Sequence, residues 1–489
     1  MEVSEIVRIF ANQMITDELK YRIHSALGHT PTLEQKYAID IFSLFMTDRH
    51  EQVVMILRGS AGTGKTTLAA AIVRAMVSLK QKIVLMAPTG RAAKVFSLYA
   101  EHPAYTIHRR IYRQKSLEGA FDLNYNSAHD TLYIVDEASM IANATNYGDS
   151  PFAQGQLLDD LIHFVYNGRN CRLLLIGDQA QLPPVGAEES PALMARVLKG
   201  YGLETYEIDL SEVLRQSEAS GILFNATRIR ECGPMLPKIC FKGFQDIQIV
   251  PGDELIESLA SSYAKVGLDD TLVITRSNKR ANIYNQGIRN MVLGREEQLC
   301  TGDQLMIVKN NYSLIPNSEE ASGAPSFLAN GDRCVVRRVR NVHELYGFHF
   351  AEVTMTFPDY DDYELTATVL LDTLTSEAPA LTREQQEQLY QAVMDDYADV
   401  PLKQDRLKRL KQDRYYNALQ VKFAYAATCH KAQGGQWAHV YVDQGYMTDE
   451  MLTEDYIHWL YTAFTRATEK LYLVNWRKEQ TEDSADNQS

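Results

Sequence analysis

The sequence predicts an α/β fold with two parallel-sheet domains, a small polar insertion in the first and a small β insertion in the second. Strand-length apolar runs alternate with helical stretches between residues 53 and 210, and a similar series begins at residue 271. Such alternation is typical of parallel sheets that carry helices on both faces. A chain of 489 residues is also too long for one hydrophobic core, so several domains are expected.

The first domain is predicted at residues 31–210, after a helical N-terminal extension at residues 1–30. Its predicted strands lie at 53–57, 82–87, 131–135, 172–176 and 206–210, and each leads into a segment that contains polar residues. Ligands of parallel sheets bind at the carboxyl ends of the strands. The polar residues at these ends are therefore candidates for a binding site. A polar insertion at residues 110–130 interrupts the domain.

The second domain is predicted in two pieces, residues 211–334 and 421–476. Its expected strands lie at 271–275, 421–425, 439–442 and 470–475. Strand-like runs between them indicate a small β domain inserted at 335–420, with a helical excursion at 382–413 that opens on the capping-box pattern Thr382-Arg383-Glu384-Gln385. The acidic residues 477–489 are predicted to form a disordered tail.

Composition restricts the possible classes of protein. The net charge of −14 argues weakly against binding nucleic acid over the whole surface, although a local groove can still be neutral or basic. The six cysteines include no C-x-x-C pair, which argues against a zinc site and fits a reducing compartment. The apolar runs are shorter than a membrane span, and the N-terminus has the pattern of an amphipathic helix rather than a secretion signal. We expect a cytoplasmic protein without membrane contact.

Residues 59–66 match the phosphate-binding loop pattern G-x-x-x-x-G-K-[ST], and they lie between a predicted strand and a predicted helix. Glycines let backbone N–H groups close around phosphate oxygens, and the helix N-terminus adds a favourable dipole. Lys65 is expected to reach the β- and γ-phosphates, and the Thr66 hydroxyl is expected to hold Mg²⁺. The pattern predicts that a nucleoside triphosphate and Mg²⁺ are bound here. The predicted nucleotide-binding residues here are Gly59, Ser60, Ala61, Gly62, Thr63, Gly64, Lys65, Thr66 and Thr67.

Two further strand ends carry candidate catalytic residues. Asp136 and Glu137 follow the strand at 131–135. Adjacent carboxylates repel unless a cation or a proton intervenes, so we expect Asp136 to complete the Mg²⁺ shell and Glu137 to orient or deprotonate the attacking water. Gln181 follows the next strand. Its uncharged amide can hydrogen-bond both a phosphate oxygen and water, which suits a sensor of the γ-phosphate.

With these motifs the chain resembles the superfamily-one helicases, and within them the 5′-to-3′ branch of RecD-like and Dda-like proteins. The resemblance covers residues 31–476. It is carried by segments that occur in the family's order: 31–35, 59–66, 87–94, 106–108, 133–139, 177–184, 210–216, 275–278, 427–435 and 461–467. It implies two RecA-like ATPase domains and an SH3-like inserted β domain.

The resemblance also implies roles for single residues of the nucleotide site. Gln35 would read the adenine edge, and Gly435 would belong to the nucleotide-binding set. Arg215 and Arg466 would come from the second domain and contact the γ-phosphate across a cleft. Gripping ATP from both sides would let binding close the cleft and hydrolysis release it.

For nucleic acid, the resemblance implies a track along which one strand is held. Short hydroxyl and amide side chains suit this task because they bond phosphates without reading sequence. The expected residues are Pro88, Thr89, Lys94 and His108 in the first domain and Thr275, Asn278, Thr428 and His430 in the second. Thr89 and Thr428 have an alternative interpretation as simple loop or cap residues.

Two insertions leave alternatives open. The insertion at 110–130 occupies the position of the family's strand-separating hairpin, with Phe121 and Tyr125 as candidate wedge residues; an ordinary surface loop is the alternative. The excursion at 382–413 is either a solvated arm or an arm that docks a partner, and its alternating charges favour the solvated arm.

The leading hypothesis is an ATP hydrolase that moves 5′ to 3′ along single-stranded DNA and unwinds duplex junctions as a monomer, with a place in DNA repair or recombination. An RNA-directed helicase of the same superfamily is the first alternative, since phosphate contacts do not report the sugar. A nucleotide-dependent switch that binds nucleic acid without unwinding is the second. A nuclease is disfavoured because no additional carboxylate–lysine cluster is evident.

Overall fold

The structure, a computed structural model, describes residues 3–114, 121–143, 156–213, 220–233, 237–311, 313–315 and 327–482. Residues 1–113 and 122–219 form one compact unit, and residues 114–121 and 220–489 form a second. Each unit has its own cluster of buried apolar side chains.

The first half of the chain contains an alternating series of helices and strands. The helices are α1 (Val3–Leu27), α2 (Leu33–Thr47), α3 (Lys65–Ser78), α4 (Gly90–Ala100), α5 (Ile107–Ile111), α6 (Leu157–Asn167) and α7 (Ala195–Gly200). The strands are β1 (Val53–Gly59), β2 (Lys82–Ala87), β3 (Ala104–Thr106), β4 (Tyr112–Gln114), β5 (Phe121–Leu123), β6 (Thr131–Val135), β7 (Arg172–Gly177) and β8 (Glu204–Leu210).

Six of these described strands form an all-parallel sheet in the order β3-β2-β6-β7-β1-β8. Every residue of β6 and β7 is buried, as expected for central strands that carry helices on both faces. The five strands that the sequence predicts are confirmed. Strand β3 was not predicted, because three residues are too few to show a pattern. The order places the carboxyl ends of β6, β7 and β1 side by side.

The N-terminal helices belong to the core of the first unit. Leu19, Ile23 and Leu27 of α1 are buried in the same apolar cluster as the central strands. Helix α2 begins after Thr32, whose side chain accepts a hydrogen bond from the backbone N–H of Gln35 in a capping box. The segment before residue 31 therefore contributes to the stability of the first unit.

The insertion at 110–130 contains the two-stranded sheet of β4 and β5, as a hairpin insertion requires. Its second half is anchored on the first unit, because the buried Asn126 side chain donates to the Phe164 carbonyl (3.0 Å) and accepts from the Tyr133 hydroxyl (2.9 Å). Tyr125 is 72% exposed. The side chain of Phe121 lies outside the described part of the structure.

The second half of the chain contains these helices: α8 (Gly221–Glu231), α9 (Leu255–Val266), α10 (Asn278–Gly287), α11 (Arg383–Asp396), α12 (Lys403–Gln412), α13 (Cys429–Ala432) and α14 (Glu454–Phe464). Its strands are β9 (Ile239–Cys240), β10 (Ile247–Val250), β11 (Thr271–Thr275), β12 (Gln304–Ile307), β13 (Arg333–Leu345), β14 (Phe348–Phe357), β15 (Tyr363–Leu370), β16 (Leu419–Phe423), β17 (Ala426–Thr428), β18 (Trp437–Asp443), β19 (Ala467–Val474) and β20 (Thr481–Glu482). Among the described helices, none is both long and apolar enough to cross a membrane.

The second parallel sheet has the order β10-β19-β18-β11-β17. The predicted strands at 271–275, 439–442 and 470–475 are confirmed within it. The prediction for residues 421–425 is wrong. Residues 421–423 belong to β16 of the inserted domain, and the sheet is instead completed by β17. The apolar run 421–427 covers both strands, so periodicity alone does not divide it.

The inserted domain is a closed barrel of the described strands β12, β13, β14, β15 and β16. Most of its neighbouring strands pair antiparallel, and β15 pairs with β16 in parallel. The barrel extends beyond the predicted insertion 335–420 at both ends, because β12 and the last residues of β16 are needed to close it. The prediction of a small β domain inserted into the second α/β domain is confirmed.

The helical excursion docks on the barrel, which corrects the interpretation of a solvated arm. Thr382 caps α11 in the predicted capping box. Leu389 and Val393 of α11 and Leu410 of α12 are buried against Phe348 and Phe350 of the barrel, with further apolar residues from both sides. Charge alternation in this segment describes its outer surface only, and the apolar positions between the charges form an interface.

The predicted disordered tail begins too early. Residues 481–482 form β20, which pairs in parallel with β9. Glu482 forms an ion pair with Arg228 (2.8 Å), and the buried Gln480 side chain accepts from that of Gln444 (2.6 Å). These polar contacts fix residues 477–482 on the second unit. The sequence prediction missed them because it considered only the low apolar content of the segment. Residues 483–489 lie outside the described range.

Candidate nucleotide and nucleic-acid site

The phosphate-binding loop connects β1 to α3 in the first unit, as the sequence predicts. Gly62 and Gly64 both have φ near +80°, a conformation that other residues rarely adopt. At Gly59 an added Cβ would lie 2.8 Å from both the Lys65 Cγ and the Thr63 Oγ1, so a side chain does not fit there. The loop is thus built around backbone groups. Ser60, Ala61 and Thr66 are half-buried along it, and Thr67 is exposed.

Lys65 lies over the loop that precedes it. Its amine donates to the carbonyl oxygens of Gly59 and Ser60, and the Thr63 hydroxyl also donates to the Ser60 carbonyl (2.8 Å). The amine is 3.8 Å from the Asp178 Oδ2 at the end of β7. The lysine charge is therefore placed between the loop and a carboxylate of the neighbouring strand.

Asp136 and Glu137 follow β6 directly. The Glu137 N–H donates to the Asp136 Oδ1 (2.9 Å), and Glu137 itself has the left-handed φ of +53°. Burial, and next the charge of Glu137, raise the pKa of Asp136 above its usual range, while Lys65 acts in the opposite direction. A divalent cation would relieve the repulsion between the two carboxylates. The donor set of Asp136 and the Thr66 hydroxyl therefore fits Mg²⁺.

The loop after β7 contributes a residue that the sequence analysis did not assign. Asp178 is 2% exposed, its Oδ1 accepts from the Ala180 N–H (3.0 Å), and its Oδ2 faces Lys65. Its position directly after a strand was a usable signal. Gln181, three residues later, is buried, and its Oε1 has no hydrogen-bond partner among the described residues; the same holds for the Ser139 Oγ. Buried polar atoms without partners are uncommon, and they are typical of sites that receive a ligand or water.

Gln35, the predicted adenine reader, is fully buried beside the loop. Its Nε2 donates to the Thr63 carbonyl (3.4 Å), and its Oε1 accepts from the Thr32 N–H (3.2 Å). Both ends of the amide are therefore bonded within the first unit. This arrangement links the start of α2 to the phosphate-binding loop.

Of the two predicted arginines, Arg466 is described and Arg215 lies outside the described residues. Arg466 is 3% exposed in the second unit. Its guanidinium donates to the carbonyls of Thr462 (3.1 Å) and Gly435 (3.2 Å) and to the Thr465 hydroxyl (3.3 Å). The predicted nucleotide residue Gly435 is thus a direct partner of Arg466.

The predicted nucleic-acid residues of the first unit cluster at the ends of β2 and β3. Thr89 caps α4 by accepting from the Ala92 N–H (3.2 Å), so its cap interpretation is correct at least in part. Pro88 and Lys94 are half-buried. Burial lowers the pKa of His108 to about 4, so its ring is neutral and offers a hydrogen bond rather than a charge.

The second unit brings its predicted nucleic-acid residues together at the ends of β11 and β17, where Thr275 and Thr428 are paired in register. Thr275 is fully buried and its hydroxyl donates to the Ser277 carbonyl (3.1 Å), so its side chain is not placed to contact an external strand. Asn278 and Thr428 are half-buried, and His430 is exposed on α13. The sequence does not reveal the burial of Thr275, because hydroxyl residues end strands both as ligands and as caps.

Two family models match different parts of the chain. A family model described as an AAA domain matches residues 44–231, and a model described as a UvrD-like helicase C-terminal domain matches residues 423–474. The first range contains the phosphate-binding loop and the strand-end carboxylates. The second contains Thr428, His430, Gly435 and Arg466.

The chain is similar to the ATP-dependent RecD2 DNA helicase of Deinococcus radiodurans, with 32% identity over 35% of this chain and 21% of that protein. It is also similar to the ATP-dependent DNA helicase dda of Enterobacteria phage T4, with 25% identity over 56% of this chain and 60% of that protein. The chain therefore aligns with less than two thirds of the length of either relative. Among solved structures, a Bacteroides Pif1 helicase in complex with ADP-AlF3 and single-stranded DNA aligns over 92% of this chain and 94% of that chain, with 14% identity and a TM-score of 0.44.

Proposed function

We propose that this chain, which belongs to the RecD- and Dda-like family of superfamily-one helicases, is an ATP-dependent DNA helicase that moves 5′ to 3′ on single-stranded DNA. The observation that carries the proposal is the strand order β6-β7-β1 in the first sheet. It brings Asp136, Asp178 and the phosphate-binding loop to neighbouring strand ends. This is the arrangement that phosphoryl transfer from a nucleoside triphosphate needs.

In the proposed mechanism, the backbone N–H groups of residues 60–66 and the amine of Lys65 hold the phosphates of ATP. Thr66 and Asp136 would hold Mg²⁺, and the bound ion would neutralise phosphate charge. Glu137 accepts a proton from the attacking water or orients it. Gln181 accepts a hydrogen bond from that water through its unpartnered Oε1, or donates to the γ-phosphate through its Nε2. Arg215 and Arg466 act on the γ-phosphate, and an arginine in this role is typically worth ~10³–10⁵ in rate.

The nucleic-acid contacts are proposed from the accessible residues only: Pro88, Thr89, Lys94, His108, Asn278, Thr428 and His430. Tyr125, which is 72% exposed beside the two-stranded sheet, is the better-supported wedge residue of the two candidates. Duplex junctions are the proposed second substrate. A monomeric, cytoplasmic protein remains a prediction.

The decisive experiment uses short duplexes with a single-stranded tail on one end, incubated with ATP and Mg²⁺. We expect separation of the 5′-tailed duplex and no separation of the 3′-tailed duplex. Glu137→Gln is the control: it should still bind ATP while losing hydrolysis and unwinding. Equal unwinding of both substrates, or a preference for the 3′ tail, contradicts the polarity. Full ATP hydrolysis by Glu137→Gln contradicts the assigned water-activating role.

A second assay with the same protein determines whether the chain moves along DNA or along RNA. ATP hydrolysis is measured with matched DNA and RNA oligonucleotides of one sequence. Stronger stimulation by DNA supports the proposal, and stronger stimulation by RNA assigns the chain to RNA. Binding of either oligonucleotide without turnover by the wild-type chain indicates a nucleotide-dependent switch.

A further inference from the structure

The carboxyl ends of neighbouring strands in the second sheet lead into one surface. Strands β17, β11, β18 and β19 are adjacent and parallel, so their carboxyl ends lie side by side at a spacing of ~4.8 Å. Thr428, a proposed nucleic-acid contact, ends β17. Arg276 directly follows β11, the loop at 444–447 follows β18, and Arg477 lies shortly after β19. This edge therefore continues from the proposed track, and parallel sheets bind ligands at such an edge.

The Arg276 guanidinium lies over two stacked rings of α14. Its central carbon is 5.6 Å from the ring centroid of Tyr456 and 5.9 Å from that of Trp459, and the planes of the two rings are 17° apart. The guanidinium also donates to the Met447 sulfur. Arg276 is exposed, and among the described residues it has no carboxylate partner. Aromatic rings and a thioether thus hold this arginine in place without neutralising its charge.

Arg477 contacts the same loop residue as Arg276. Its guanidinium donates to the Met447 carbonyl and lies 5.7 Å from the ring centroid of Tyr446. Within the part of the chain that the structure describes, it too has no carboxylate partner. Tyr446 is 80% exposed, and no other large apolar or aromatic side chain of the described residues is more exposed. Two arginines therefore meet at Met447, and an aromatic ring beside them faces solvent.

The loop that carries Tyr446 has a fixed base. The buried Gln444 side chain accepts from the Tyr456 hydroxyl (2.8 Å) and donates to the Gln480 Oε1 (2.6 Å), and the Gln480 Nε2 donates to the Tyr456 hydroxyl (3.1 Å). This closed set of hydrogen bonds joins the loop after β18 to α14 and to the segment after β19. The surface is therefore organised before a ligand binds, which lowers the cost of ordering it.

Two arginines beside an exposed aromatic ring match the chemistry of single-stranded nucleic acid. The N–H edge of a stacked guanidinium donates to phosphate oxygens, and a tyrosine ring stacks on an unpaired base of any identity. Asp443, the acid at the end of β18, is paired with Arg280 (2.6 Å) and accepts from the Tyr284 hydroxyl (2.6 Å), so its charge is balanced within the unit. The bases of a duplex stack on each other, so a single strand fits this surface better than a duplex does.

We propose that Arg276, Tyr446 and Arg477 form a further nucleic-acid contact of the second unit, at which the two arginines bind phosphates of a single strand and Tyr446 stacks on one of its bases. This inference rests on the proposed function and extends its track from Thr428 across β11, β18 and β19. Arg276 lies in the segment 275–278, in which the sequence analysis assigned other residues. Tyr446 and Arg477 lie outside every segment that carries the family resemblance.

The first measurement tests stacking through the affinity of the full-length chain for a fluorescently labelled oligo(dT), without nucleotide. Tyr446→Ala should raise Kd ~5-fold or more, because it removes the ring on which a base stacks. Tyr446→Phe keeps the ring and should stay within ~2-fold of the wild type. An abasic oligonucleotide of the same length should bind equally to the wild type and to Tyr446→Ala. Equal losses on both oligonucleotides contradict stacking.

The second measurement tests the phosphate contacts through the salt dependence of the same binding. Arg276→Gln and Arg477→Gln should each lower the slope of log Kd against log salt by ~0.7, which corresponds to a ~5-fold weaker affinity at ~0.1 M salt. Arg383→Gln is the matched control, because it removes the same charge from the same unit. The Arg383 side chain is exposed on α11 and forms no ion pair or hydrogen bond with another described residue. This control should change neither the slope nor the affinity.

Folding of each variant is checked by its tryptophan fluorescence transition, because Trp459 is buried directly beneath Arg276. Unchanged affinity and salt dependence in folded Arg276→Gln, Arg477→Gln and Tyr446→Ala overturn the proposal. A wild-type chain that binds the oligonucleotide but does not hydrolyse ATP contradicts the proposed function, and the variants then still decide the contact. A wild-type chain that binds no oligonucleotide contradicts both.

Discussion

Lys65, Gln35 and Arg466 are all bonded to backbone carbonyl groups of their own unit. Each side chain therefore has a defined position before any ligand binds, and this lowers the entropic cost of ordering that side chain on binding. The same bonds must weaken wherever a phosphate becomes the partner of the lysine or the arginine. At the scale of the residue, these contacts prepare the side chains of the proposed nucleotide site, and they compete with the ligand.

The phosphate-binding loop between β1 and α3 was predictable from the sequence, because such a loop requires particular residues at fixed spacing. The partners of those residues were not predictable. The bonds from Glu34 to residues 211–212 join positions far apart in the chain, and the burial of Thr275 depends on its neighbours in the sheet. Asp178 was overlooked, although its position directly after β7 was a usable signal.

Asp332, directly before the barrel strand β13, carries a buried carboxyl group. Its carboxylate accepts hydrogen bonds from the Ala329 N–H (2.7 Å) and from the Tyr360 hydroxyl (3.0 Å), and both of these donors are uncharged. Burial raises its pKa to about 7, with a smaller contribution from Asp359. The folded chain therefore binds this proton more tightly than the unfolded chain does.

The contribution of Asp332 to stability is complete below its unfolded-state pKa of about 4, and it is lost as the pH rises through about 7. The loss amounts to ~1.4 kcal/mol per pH unit across this window. The Asp332→Asn side chain stays neutral at every pH. Near pH ~8 the second unit of this variant should therefore have a higher free energy of unfolding than that of the wild type, and the difference should decrease towards pH ~4. Urea denaturation at several pH values measures this. The exposed Asp361→Asn is the control, and a difference that is independent of pH contradicts the assignment.

At the scale of the element, the buried parallel strands were the most predictable parts of the fold. Their apolar runs are continuous, as in β7, because both faces are covered. The short strands β3, β12 and β17 were missed, since three or four residues carry no periodic signal. The helical pair α11 and α12 was located correctly, but its docking was not predicted because its apolar positions are few and separated by charges.

The docked helical pair makes an element-scale prediction. Leu410 of α12 is 2% exposed within the cluster that joins the pair to the barrel, whereas Leu402 before the same helix is 66% exposed. Leu410→Ala should lower the free energy of unfolding of the second unit by about 2–4 kcal/mol, because it removes a buried side chain and leaves a cavity. Leu402→Ala should change it by less than ~0.5 kcal/mol. Equal effects of the two substitutions in chemical denaturation would support a solvated arm instead.

At the scale of the whole molecule, the two units have separate apolar cores, and they differ in their content of the intrinsic fluorophore tryptophan. The core of the first unit is formed by residues between Leu19 and Leu210, and that of the second by residues between Val250 and Val474. The three tryptophans, Trp437, Trp459 and Trp476, are all buried in the second unit. Tryptophan fluorescence therefore reports unfolding of the second unit alone, and calorimetry reports both units.

Nucleotide binding should consequently affect the two transitions differently. ADP with Mg²⁺ at ~100 times its Kd should stabilise the first unit by about 2.7 kcal/mol and leave the tryptophan transition in place, because the phosphate-binding loop belongs to the first unit. A nonhydrolysable ATP analogue should also raise the tryptophan transition, since Arg466 is proposed to bind the γ-phosphate, and Arg466→Ala should abolish that additional shift alone. A tryptophan transition that moves equally with ADP and with the analogue, or with neither, contradicts the role of Arg466. The comparison thus tests, in one protein and without DNA, whether the second unit detects the phosphate that hydrolysis removes.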